Sequence, residues 1–109
     1  MAKLATYWQR GEAIDYENAT GATIPAGSCV LVGSVLGIAG CDIANGEVGP
    51  LNVEGIYEIP KKAAVALTAG QKVTYTDVDG IDAATDTAIG YAVEAAGASD
   101  ATALVKLLG

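Results

Sequence analysis

Leu51-Asn-Val-Glu-Gly-Ile-Tyr-Glu-Ile59 decides the fold class. Leu51, Val53, Gly55, Tyr57 and Ile59 alternate with Asn52, Glu54 and Glu58, the period of two expected of a strand with one wet face. Lys72-Val-Thr-Tyr-Thr76 repeats the pattern with Val73 and Tyr75 inside, and Ile89, Tyr91, Val93 and Ala95 form a further inner set against Gly90, Ala92 and Glu94. Ser28–Val32 and Val35–Ala39 are apolar runs split by Gly33-Ser34, which predicts a tight hairpin with Cys29 opposite Ile38. Ala101–Leu108 is apolar except for Lys106 and predicts a central or subunit-covered strand.

Turn signals separate these runs: Pro25-Ala-Gly27, Asn45-Gly46, Ala69-Gly70 and Asp79-Gly80. Asn45-Gly46 suits a type I′ turn, which needs positive φ at both central residues. Ile24-Pro-Ala-Gly27, Ile43-Ala-Asn-Gly46 and Leu67-Thr-Ala-Gly70 share one frame, an aliphatic anchor before a turn that ends in Gly. Their uneven spacing reads as repeated turn chemistry rather than repeated units. Pro60–Leu67 fits either two turns of helix begun by Pro60 or a loop. The expectation is an all-β chain, a small single-domain sandwich or barrel of jelly-roll type over residues 11–109, with an extended N-terminal arm over residues 1–10.

Composition limits the core. Of the 109 residues 21 are Ala and none is Phe, so little apolar area is available for burial. A small domain with a thin core leans on partner subunits, which predicts a homo-oligomer, trimer before dimer. Six basic residues against 13 acidic ones give a net charge of −7. Phosphate backbones and anionic lipids reward basic clusters, and the chain has only Lys61-Lys62, so neither nucleic acid nor membrane is expected as a partner. The N-terminal residues have no apolar signal core, and two cysteines make no disulfide framework, so folding in a cytosol is expected.

Chemistry is sparse. Histidine is absent, and neither a phosphate-binding loop nor a dinucleotide fingerprint occurs. Cys29 has no His to activate it. Asp77-Val-Asp-Gly-Ile-Asp82 followed by Asp86 resembles a calcium loop, but the leading ligand position would be Tyr75 and strand signals flank it, so an acidic β-turn accounts for it better. No catalytic residue, metal ligand or cofactor site is assigned, and the chain is expected not to be an enzyme. Tyr7, Trp8 and Arg10 are the candidate interface residues, of types enriched in binding hot spots. Two roles are open for the rings: capping the barrel's own end, or anchoring the arm on a neighbour.

Several stretches taken in order resemble a family of small tailed-phage head proteins, the capsid cement or decoration proteins, which also occur in prophages. They are Gly11-Glu-Ala-Ile-Asp-Tyr16, Ile24-Pro-Ala-Gly27, Gly37-Ile-Ala39, Asp42-Ile-Ala-Asn-Gly-Glu47, Val53–Lys61, Gly90-Tyr-Ala-Val-Glu94 and Val105-Lys-Leu107. Cys29 and Cys41 are no part of that pattern. The resemblance implies a β-rich protein without activity, made in the host bacterial cytoplasm and bound to the outside of the virion. There it would staple neighbouring copies of the major capsid protein. The alternatives are a small carbohydrate-binding or accessory module, and a biotinyl or lipoyl carrier, which needs a lysine at a hairpin tip that Lys61 and Lys62 do not occupy.

Overall fold

The computed structural model describes residues 3–108. Nine strands form two antiparallel sheets, and no described residue is helical. The first sheet holds β1 (Ala13–Glu17), β2 (Cys29–Val32), β3 (Val35–Ala39) and β4 (Val48–Asn52) in the order β1-β4-β3-β2. The second holds β5 (Ile56–Pro60), β6 (Lys72–Thr76), β7 (Gly80–Ala83), β8 (Gly90–Ala92) and β9 (Thr102–Leu107) in the order β5-β9-β8-β6-β7. The chain is all-β, as expected. The β2–β3 hairpin has the predicted register, Cys29 opposite Ile38, with Gly33 at φ +62 in its turn.

The run from Leu51 to Ile59 is two strands and not one. Gly55, at φ +118, breaks it, and the halves belong to different sheets. Its alternation survives the break: Leu51, Val53 and Ile59 are buried and Tyr57 partly so, while Glu54 and Glu58 face water. A period-two pattern reports which face is buried, not whether the ladder is continuous.

The chain is an internal duplication, contrary to the expectation of repeated turn chemistry alone. The bonds around Ile24 and Ile43 recur around Leu67 and Ala96. Ile24 and Ile43 exchange N–H···O bonds of 2.9 and 2.8 Å, and Leu67 and Ala96 exchange bonds of 2.8 and 3.0 Å. Gly27 N–H donates to Ala39 O and Gly70 N–H to Ala92 O; Ala39 N–H donates to Ser28 O and Ala92 N–H to Gln71 O. β1 pairs with β4 as β5 pairs with β9, and β2 pairs with β3 as β6 pairs with β8. Without β7, each half has the strand order of a Greek key. What the second half adds is β7, inserted between the equivalents of β2 and β3. That insertion sets Leu67 and Ala96 29 residues apart against 19 for Ile24 and Ile43, and hides the repeat.

β7 closes the second half. It pairs with β6 on one side, and a parallel bridge between Ile81 and Lys61 joins it to the end of β5 on the other. Val73, Ile81, Ala92, Val105 and Leu107 fill the resulting interior, with Leu36 and Ile38 entering from β3. The first half keeps a smaller core of Ile24, Ala39, Ile43 and Leu51. β9 is an interior strand, flanked by β5 and β8.

Two local expectations change and one open choice is decided. In β8 the inward residues are Gly90 and Ala92, while Tyr91 lies outward with Lys106 Nζ 5.9 Å from its ring centre, and Val93 and Ala95 are exposed. Small residues face inward because a Cβ at Gly90 would overlap the Lys106 carbonyl oxygen. Pro60 ends β5, and residues 61–67 are a loop, tied at Lys61 to β7 and at Leu67 to Ala96, with Ala64 at φ +64. A helix cannot meet both ties. Finally, the Asn45-Gly46 turn is not type I′. Glu47 N–H donates to Ala44 O at 3.0 Å, and of the two central residues Gly46 alone has positive φ, at +86. That is the type II arrangement. A Cβ at Gly46 meets no atom within 4 Å, so Gly46→Val should act through backbone strain alone, lowering stability by about 1–2 kcal/mol in a denaturant melt.

Candidate binding surface

Residues 3–10 belong to no strand. Leu4, Tyr7 and Trp8 are 97%, 80% and 88% exposed, so neither aromatic ring caps a core in this chain. Arg10 is exposed as well, with Nη2 3.4 Å from Glu12 Oε1. An exposed pair of that length is screened by salt and adds little stability. The three candidate residues lie on one exposed segment carrying Lys3 and Arg10 and no acid, whereas the remaining chain holds 4 Lys against all 13 acids.

A second surface, which the sequence flagged only as the apolar run Cys29–Val32, is the edge of the first sheet. β2 ends the strand order and pairs only with β3. Antiparallel pairing alternates, and the bond from Ala39 N–H to Ser28 O fixes its phase. Val30 and Val32 therefore bond inward to β3, and Cys29 and Leu31 direct their N–H and C=O groups to the free edge. Leu31 and Val32 are 40% and 36% exposed, with none of the charges or prolines that usually blunt such an edge.

Beside this edge lies an open groove of about 350 Å³, lined by residues including Tyr16, Ile24, Pro25, Cys29, Leu31 and Asp77. Finding it required the tertiary structure, because Asp77 comes from the β6–β7 turn. Burial raises the Cys29 thiol above its ordinary 9.0; the nearby Tyr75 hydroxyl pulls it down, and Asp77 pushes it up again. Tyr75 is pushed up to about 12, by burial first and then by Cys29 and Asp77. Both groups are held neutral. Raised native values mean a stabilisation that is complete below pH 9 and is lost as pH rises through the shifted values. Both cysteines are free, Cys41 exposed and Cys29 half-buried. With a thiolate-selective reagent at pH 8, Cys41 should label at least about tenfold faster than Cys29. Equal rates would place Cys29 in open solvent.

The acidic stretch Asp77–Asp82 is the β6–β7 hairpin, not a calcium loop: Asp79 and Asp82 face Lys62 Nζ at 3.9 and 3.7 Å. Among the described residues, no cluster of three or more His, Cys, Asp or Glu side chains is placed to hold a metal ion.

Two antiparallel sheets, an apolar free edge and an exposed aromatic segment define a small β protein with surfaces suited to other proteins. The model of the phage cement protein family matches residues 8–107, and the chain belongs to that family. No curated protein and no solved structure matches it. Membership gives the chain a structural role in association with the phage capsid.

Proposed function

We propose that this protein binds the outer surface of the assembled phage head and staples neighbouring copies of the major capsid protein, without catalysing a reaction. The family match over residues 8–107 carries the reading. The exposed segment with Tyr7, Trp8 and Arg10 serves in this proposal as a binding arm on a neighbouring subunit, and the β domain over residues 11–109 as the body it tethers. Self-association into a trimer or dimer gives avidity, because several modest contacts on one assembled surface act at high effective concentration.

The test is co-sedimentation of the purified protein with heads that lack it. Binding should saturate at a fixed ratio to capsid protein, and unexpanded or dissociated capsid subunits should bind far less. Removing residues 2–10 should leave the β circular-dichroism spectrum intact and weaken attachment by at least about thirtyfold if Trp8 is a hot spot. Heads that retain no protein at micromolar concentration would overturn the reading.

A further inference from the structure

The internal duplication shows what the first half lacks. In the second half, the outward edge of β6 is occupied: Ala84 N–H donates to Lys72 O at 3.1 Å, and Thr74 lies opposite Asp82 of β7. By the repeat, Lys72 and Thr74 correspond to Cys29 and Leu31. The same backbone groups on β2 have no strand beside them among the described residues. One edge of the same construction is closed by a strand, and the other is open, apolar and bordered by a groove.

We infer that a second copy of this chain closes that edge, its residues 3–10 adding to β2 as an extra strand with Trp8 or Tyr7 seated in the groove. The inference rests on reading the N-terminal segment as a binding arm, and it names the arm's partner. Three observations select this occupant. The segment has backbone groups to offer, since it belongs to no strand of its own chain. Its rings are exposed, while the groove of about 350 Å³ presents Ile24, Pro25 and Leu31. Its charge is basic, and Asp77 stands at the groove in a body that is otherwise strongly acidic. Main-chain bonds supply affinity in strand addition, and a pocket for alternate side chains supplies specificity.

Disulfide trapping reads this contact directly. With Cys41→Ser removing the exposed thiol, single cysteines are placed in the arm at Ala5, Thr6 and Gln9 in separate chains. Mild oxidation should link at least one of them to Cys29 of another chain, giving a reducible dimer on a non-reducing gel that Cys29→Ser abolishes. Leu31→Lys puts a charge on the free edge without touching an internal bond. It should weaken self-association at least about tenfold in sedimentation velocity, with the melting temperature little changed. A link formed within one chain, no link while the oligomer persists, a monomeric parent chain, or an oligomer indifferent to Leu31→Lys would each overturn the inference. Head co-sedimentation separates the two proposals. Head binding without a link removes the exchanged arm and leaves the capsid role standing; a link without head binding does the reverse.

Discussion

Gly90→Ala is expected to cost about 3 kcal/mol and to lower the melting temperature by more than about 10 °C. The reason is close approach of backbone to backbone. A Cβ on Gly90 would overlap the Lys106 carbonyl oxygen and stand 3.0 Å from Val105 Cγ1. A flexible side chain can move aside, whereas a ladder carbonyl cannot without pulling β8 from β9. Val105 is fully buried at that point, so any separation opens the larger core. The equivalent residue in the first half is also glycine: a Cβ on Gly37 would stand 3.0 Å from Leu51 Cβ. There the obstacle is a side chain, so Gly37→Ala should cost less. Gly97→Ala serves as the control, because its Cβ would meet nothing nearer than Asp100 Oδ2 at 3.5 Å, and its effect should stay within about 0.5 kcal/mol. A Gly90→Ala melt indistinguishable from that of Gly97→Ala would show that β8 and β9 are not apposed in this way.

Gly90 also shows why part of the fold was legible and part was not. Local rules worked where one short-range cause dominates: Gly33-Ser34 set the β2–β3 register, and Cys29 does lie opposite Ile38. They held for Ile89, which is buried, and failed just after it, where Tyr91 and Val93 look like a continuation of the inner face by hydropathy. Tertiary crowding reverses the choice, giving the inside to Gly90 and Ala92 and leaving Tyr91 to the surface. The duplication was hidden for a related reason. What the halves share is backbone bonding and buried position, so Ile43 answers to Ala96 and Leu51 to Val105 with few letters in common. The identical letters, Gly27 and Gly70, Gly37 and Gly90, Ala39 and Ala92, are small residues too common to mark a repeat on their own. The binding surface divides in the same way. The exposure of Tyr7 and Trp8 agrees with an aromatic-rich segment that has no periodicity, but the groove needs Asp77 from the second half beside β2 from the first.

Asn18→Ala is expected to cost about 2–3 kcal/mol, more than the equivalent change in the other half. Asn18 follows β1 as Lys61 follows β5, and these are the two polar side chains buried among the described residues. Each secures the loop after its strand by donating to the carbonyl four residues on, Ala22 for Asn18 and Val65 for Lys61. Asn18 does more. Its Nδ2 also donates to Ile43 O at 2.8 Å, and its Oδ1 accepts from Thr20 N–H at 2.9 Å and Thr20 Oγ1 at 2.7 Å. Water can replace the side chain at exposed Thr20 and Ala22, but Ile43 is 1% exposed and would keep only its bond from Ile24 N–H. Lys61 contributes two bonds to carbonyls that solvent partly reaches, so Lys61→Met should cost nearer 1 kcal/mol. Asn18→Asp keeps the accepting oxygen but sets a buried carboxylate against the Ala22 and Ile43 carbonyl oxygens, so at neutral pH it should be no more stable than Asn18→Ala. The loop that Asn18 secures supplies Thr20, Thr23 and Ile24 to the groove beside β2. Asn18→Ala should therefore weaken self-association even at temperatures where the fold persists, whereas Lys61→Met, which loses bonds only to the Lys62 and Val65 carbonyls and to no residue lining the groove, should lower the melt and leave association unchanged. Equal loss of association in both variants would mean that global stability governs self-association, and that the loop has no part in shaping the groove.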